Sequence, residues 1–415
     1  MTTAPYLAYH CSLRFQAMPS IISKLHTLKV RQLQKLALSI GILSSGTKVD
    51  LVNRLSETLH TYDHQARGKN GFGSSHGSAE TKLQTPNGPR PMSILSIDMG
   101  IRNLAYAHLL VFPAAQASDV RTIESVYQPL SAAKTSLNAW DRLAISSFPT
   151  CDIHKDPSTM SISKLGGLRK AIFQPSSNAQ DEEEQPEKES KEHFAPYLYA
   201  SHAYTLITSL LEAYKPTHVL IERQRFRSGG GSAVQEWTIR VGVFEGMLYA
   251  VLHTLQQQGK GEFGRLFVQG VDPQRVVRYW TNDEVKDTTP DSKKRVSSKE
   301  GKRAKIDLIG RCLSRCVGVG DFDKSSKHEI PVELGLVEGS QAREIVQAYL
   351  DRWNAGGRKA KRCNDIRASM EQSSGSVENI GKLDDLADSL LQGITWLEWQ
   401  KMTEKLLYSN AVIPA

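Results

Sequence analysis

Across 415 residues the chain carries a formal charge of +8 and a pI of about 9.1, a balance that favours an anionic partner without separating nucleic acid from an acidic membrane surface. Its length admits one large core with a small accessory domain, or two domains. No run approaches the roughly 18 apolar residues that span a bilayer, and the five scattered cysteines Cys11, Cys151, Cys312, Cys316 and Cys363 lack the paired spacing of a structural zinc site, so they read as free thiols in a reducing compartment.

Residues 1–20 contain no acid and one base, Arg14, and the first acid of the chain is Asp50. Such a start fits a mitochondrial transit segment or a plain disordered tail. Residues 21–60 carry two helical patterns: Leu28, Leu33, Leu36 and Leu38 mark the first, Gly41 ends it, and Leu51, Val52, Leu55 and Leu59 mark the second. Leu33, Leu36, Gly41, Gly46, Lys48, Leu51, Val52, Arg54 and Leu55 resemble the SAP motif, a small all-α DNA-binding module. That resemblance implies Lys48 and Arg54 as DNA contacts; a generic helical hairpin for protein contact fits the same spacing. Residues 61–91, rich in Gly, Ser, His, Asn and Pro, read as a flexible linker ahead of a main domain at 92–407.

The main domain opens on SILSIDMGIRNLAYAHLLV, Ser93 to Val111. This reads as a strand ending in Asp98, a turn over Met99 to Asn103 and a second strand. Thr122–Tyr127 and Leu143–Phe148 are further strand candidates. Residues 176–192 form an acidic, low-complexity loop with no assigned chemistry. Pro196–Tyr214 is patterned as a helix, His218–Glu222 (HVLIE) as a strand ending in an acid, Ala233–Gln258 as the longest helix, and Leu266–Val271 as a strand closed by Asp272 and Pro273. Basic insertions follow at about 286–305 and 354–378. His108 and His218 read as core or edge residues, and Trp237, Phe244, Trp396 and Trp399 as packing or dimer-interface aromatics rather than base-stacking ones.

On a final helix from Lys382, Leu383, Leu386, Leu390, Ile394 and Leu397 share one face while Asp384, Asp385 and Asp388 share an adjacent arc of roughly 100°. Acids in a first helical turn also offset the helix dipole, and ordinary surface helices carry them for that reason. Asp98 and Glu222 are less easily explained, because acids are depleted in strands and an unpaired buried charge is strongly unfavourable. Converging carboxylates need a counter-charge, and a hard divalent cation with oxygen ligands supplies it.

The element order and the segments IDMGIRNLAYA, IERQRFRS and KLDDLADSLLQG resemble the fungal mitochondrial Holliday junction resolvases of the Cce1/Ydc2 family. These are α/β proteins with an RNase H-like mixed sheet of the RuvC type, flanked by helices. The resemblance implies catalytic and metal-holding roles for Asp98, Glu222, Asp388 and Asp385, with Asp384 the alternative fourth ligand. It further implies Mg²⁺ (or Mn²⁺), two ions per site, no nucleotide cofactor, four-way junction DNA as substrate, a homodimer, no membrane partner and a mitochondrial location. Arg223, Gln224, Arg225 and Arg227 would grip the strand backbone beside the site, with Lys293, Lys294 and Arg295 adding phosphate contacts. Two rival readings fit parts of the pattern: a non-catalytic SAP-type DNA-binding or packaging protein, and an RNase H-like nuclease on RNA–DNA hybrids.

Overall fold

The computed structural model describes residues 21–70, 91–112, 130–145, 195–224, 236–259, 263–281, 298–318, 333–357 and 382–408. Their centre is a six-stranded mixed sheet ordered β5-β4-β1-β2-β3-β6. Strands β1 (Met92–Asp98), β2 (Leu104–Phe112) and β3 (Lys134–Leu143) form an antiparallel meander, while β4 (His218–Glu222) runs parallel to β1, β5 (Phe267–Val271) parallel to β4, and β6 (Leu334–Leu336) parallel to β3. This is the mixed α/β architecture expected from the sequence.

Helices cover both faces. Helices α3 (Pro196–Tyr214) and α4 (Glu236–Gln258) pack on one, burying Leu206, Leu210, Phe244 and Leu248 against Leu95, Ile97, Val219 and Ile221. On the other lie α5 (Pro273–Thr281), α6 (Ser298–Val317), α7 (Ala342–Gly357) and α8 (Leu383–Tyr408), whose Leu386, Leu390, Ile394 and Leu397 meet Ile94, Leu109, Leu137 and Leu220. Because both faces are covered, the central strands are apolar throughout rather than alternating. Their period of two persists all the same. Ile94 and Leu220 face α8, so Asp98 and Glu222, an even number of residues further on, face it too.

The third strand is Lys134–Leu143 and not Leu143–Phe148, since residue 144 already lies outside it. Lys134, Ser136, Asn138, Asp141 and Arg142 dilute its apolar pattern, and the register with β2 shifts at His108 and Leu109, so strict alternation fails there. The 122–127 candidate, the acidic loop and residues 1–20 lie outside the described residues. Helices α5, α6 and α7 were not separately anticipated; the 298–305 part of the basic insertion is the start of α6, not loop.

The N-terminal helices α1 (Val30–Ser39) and α2 (Lys48–Asn70) form the expected pair, with Leu33, Leu36, Leu51, Leu55 and Leu59 buried between them. Two corrections concern its surroundings. Residues 61–70 continue α2 and so are not linker, and the pair shares its core with Leu406 and Leu407 at the end of α8. Gly41, at φ +73°, lies directly under the Trp399 indole, and its carbonyl accepts a 3.2 Å bond from Arg275 Nη1.

Candidate metal centre

Strand parity and pairing build the site. Ile97 pairs with Ile221 across the parallel β1–β4 ladder, so Asp98 and Glu222 are neighbours at the strand ends, both turned toward α8. The first turns of α8 bring Asp385 and Asp388 over them. Asp98 is 8% exposed and its carboxyl lies against that of Glu222, so two groups that repel when both are charged share a dry place. Burial first, then the charge of Glu222 and of Asp388 and Asp385, pushes Asp98 well above the usual carboxylate range. Burial and Asp388 likewise raise Glu222.

Asp388 is raised by burial and only partly relieved by Lys305 Nζ of α6, which donates to its Oδ2 at 2.6 Å. Asp385 is pushed up to about 6 by burial and the neighbouring Asp384. Its Oδ2 is buried without a hydrogen-bond partner among the described residues; the nearest cation, Arg142 Nη1 of β3, stands 3.6 Å away and donates to Asn103 Oδ1 at 3.2 Å. Asp384 behaves differently. Burial pushes it up, but Lys302 Nζ, donating at 2.6 Å, more than offsets this and leaves it below the usual range. Of the two adjacent aspartates, it is the charge of 385 that reaches Asp98, while 384 is held by a lysine.

This donor set fits a divalent cation. All four groups are hard oxygen ligands, one carries an orphaned buried oxygen, and three strain against each other's charge in a way a cation would relieve. Among the described residues no three His, Cys, Asp or Glu side chains stand close enough together to ligate one ion as placed; of the four acids, Asp388 is paired with Lys305 of α6.

Arg223 lies exposed just beyond β4, and the backbone N–H of Gln224 donates to Glu245 Oε2 at 3.0 Å, which fastens the segment leaving Glu222. Arg225, Arg227, Lys293, Lys294 and Arg295 lie outside the described residues. Lys48 and Arg54 are not brought to the acids: they sit on α2 beside the far end of α8, and 388 to 406 is about 27 Å along a helix axis. Lys48 is exposed, whereas the Arg54 guanidinium is directed at the carbonyls of Leu43 and Ser45 and, through Nε, at Asp50 O at 3.2 Å, closing the α1–α2 turn. Lys302 and Lys305 appeared in the sequence only as members of a basic run, and Arg142 not at all; helical spacing of 302 and 305 was the one signal that α6 presents both together.

Residues 94–406 match the family model described as mitochondrial resolvase Ydc2 / RNA splicing MRS1. The chain belongs to this family. Curated relatives of the chain include two proteins named cruciform cutting endonuclease 1, mitochondrial. The one from Schizosaccharomyces pombe is 28% identical over 211 residues, 50% of this chain and 60% of that protein; the one from Saccharomyces cerevisiae is 28% identical over 203 residues, 46% of this chain and 50% of that protein. The matched regions thus span half to three-fifths of those relatives. Among solved structures, the yeast mitochondrial Holliday junction resolvase Ydc2 gives 18% identity and a TM-score of 0.44, covering 92% of this chain and 97% of that one. Thermus thermophilus RuvC gives 13% identity and a TM-score of 0.24, covering 64% and 96%. The family's description spans both junction resolution and RNA splicing, so the chemistry at the strand ends has to distinguish them.

Proposed function

We propose that this chain is a divalent-metal-dependent endonuclease that resolves four-way DNA junctions in mitochondria. The observation that carries the reading is the convergence of Asp98, Glu222, Asp385 and Asp388 on one face of the sheet, at an energetic cost that a purely structural or nucleic-acid-binding protein has no need to bear. The names of the curated relatives support the substrate and the location.

Asp98, Glu222, Asp385 and Asp388 would hold Mg²⁺ or Mn²⁺, two ions in the fullest arrangement. When bound, such ions polarise the scissile phosphate and acidify a coordinated water. The chain's own side chains do the rest. Lys302 and Lys305 are in place to transfer from aspartate to DNA phosphate once the acids are neutralised, whereas Arg223 is turned to the α4 side beside Glu245 and Tyr249 and would contact phosphate only on that side of the strand end. Lys48 on the α1–α2 pair extends the phosphate footprint away from the site, which is our reading of that pair as a DNA-binding arm.

We assign a homodimer, because a four-way junction has approximate two-fold symmetry and paired cuts need one site per arm pair. The outer face of α4 supports it: Ile239 and Val243 are exposed, and a Cβ added at Gly242 or Gly246 would meet nothing within 4 Å among the described residues. A second helix fits there.

The deciding experiment compares a synthetic four-way junction, an RNA–DNA hybrid and a linear duplex, each with Mg²⁺ and with EDTA. Cleavage of the junction alone, abolished by EDTA and reduced about 10²-fold or more in Asp98→Asn with junction binding retained, is the expected result. Cutting of only the hybrid would reassign the substrate, and metal-independent binding without cutting would reassign the protein to a nucleic-acid-binding role.

A further inference from the structure

The segment KLDDLADSLLQG holds one polar residue that the metal centre leaves unexplained, Gln392. It is 3% exposed on α8. Its Nε2 donates to Ser96 Oγ at 3.0 Å and to Ile97 O at 3.2 Å, both on β1, and reaches Leu220 O on β4 at 3.5 Å. Ile97 directly precedes Asp98, and Leu220 is two residues before Glu222. Asp385, Asp388 and Gln392 follow one another at intervals of three and four, so they line one stripe of the helix. A single amide therefore touches both acid-bearing strands from the helix that bears the other two acids.

The helix backbone approaches the sheet closely at the same level. A Cβ added at Gly393 would lie 2.9 Å from Leu109 Cδ1 and 3.2 Å from Ser96 Cβ. The glycine lets α8 come down on β1, and the glutamine fixes where along both strands it stops. Metal sites tolerate errors of only about half an ångström in ligand placement, so whatever sets this height sets ion affinity.

We infer that Gln392 is a positioning residue that pins α8 to the ends of β1 and β4 and so fixes the spacing of Asp385 and Asp388 from Asp98 and Glu222. The inference rests on the reading of these acids as a metal-dependent nuclease centre. A buried glutamine that merely satisfies its own hydrogen bonds would cost stability when replaced but would leave ion affinity alone. That difference is measurable.

Three variants separate the cases: Gln392→Met, which keeps length and loses both N–H donors; Ser96→Ala, which removes one acceptor with little change of volume; and Thr395→Val. Thr395 is equally buried on α8, but its hydroxyl accepts a 2.8 Å bond from Trp280 Nε1 and donates to Leu391 O at 2.6 Å, so these bonds run to α5 and within α8 rather than to the acid-bearing strands. Mn²⁺ alone is titrated against each protein without DNA, with the rise in melting temperature as readout, and junction cleavage is then measured for kcat and KM. Gln392→Met should need about tenfold or more Mn²⁺ for half-maximal stabilisation and lose a similar factor in kcat, with KM within about twofold. Ser96→Ala should move both the same way by about threefold. Thr395→Val should melt earlier with its Mn²⁺ midpoint unchanged. A Mn²⁺ midpoint in Gln392→Met equal to that of the wild type, or an equal shift in Thr395→Val, overturns the inference, and if Gln392→Met does not fold, an unshifted Ser96→Ala does so. A wild-type protein that neither gains stability with Mn²⁺ nor cuts the junction would instead overturn the nuclease reading itself.

Discussion

At the scale of single residues, the acids are held in a state that opposes folding. A carboxyl raised from 3.8 to about 6 binds more protons folded than unfolded between those values, so its effect is to make the fold less stable as pH rises through that window. For Asp385 the sign is therefore opposite to that of a salt-bridged surface aspartate. In metal-free buffer, Asp385→Asn should match the wild type near pH 4 and become the more stable protein by pH 7. The gain should be on the order of 1–2 kcal/mol after allowing for its partial solvent contact, or about 2–4 °C, read from melting curves across pH. A variant less stable at pH 7 would mean that the Arg142 pairing outweighs burial. The strand-end acids were legible in the sequence because Asp and Glu terminate apolar runs, and parity then put both on one face. Which of 384 and 385 turns inward was not legible, since both fall on the same arc of α8 and the decision comes from Lys302 on a helix distant in sequence.

At the scale of elements, the hairpin and the last helix were readable because each is a short apolar run with punctuation. Strand β3 and the cap of α6 over the acids were not, because one is diluted by polar residues and the other is a basic run whose partner lies about 80 residues on. The α1–α2 pair illustrates the same limit: its helices follow from leucine spacing, but its attachment does not. Leu406, Leu407 and Trp399 are buried against it, and Tyr408 Oη donates to Asp63 Oδ1 at 3.1 Å. We therefore expect removal of residues 1–70 to destabilise the catalytic part, because full exposure of those two leucines alone costs about 2 kcal/mol each. A gentler probe is Gly41→Ala. The left-handed φ costs roughly 1 kcal/mol, and the new Cβ would stand 2.1 Å from Trp399 Cδ2. Melting temperature and junction affinity should both fall, with the Mn²⁺ midpoint unchanged. Unaltered stability would show that the contact between the pair and α8 is dispensable.

At the scale of the whole molecule, the site and the outer face of α4 lie on opposite sides of the same short segment. Glu222 ends β4, and α4, which follows it, returns along the other face of the sheet through Phe244 and Leu248. A partner bound on Ile239 and Val243 would thus sit behind β4 rather than over the acids, leaving both centres of a pair open to DNA. Under the proposed function, symmetry would tie assembly to outcome: two centres would cut two strands of one junction during one encounter, whereas a single centre would leave a nick. Ile239→Glu combined with Val243→Glu places like charges opposite one another across such a two-fold contact. It should yield a monomer by sedimentation, with the fold kept because both side chains are already exposed. On a supercoiled plasmid carrying an extruded cruciform, wild-type protein should produce linear product directly, and the double variant should accumulate nicked circles while its Mn²⁺ midpoint stays the same. A dimer that survives the two glutamates would move the interface elsewhere on the surface, and direct linear product from a proven monomer would break the link between symmetry and paired cutting.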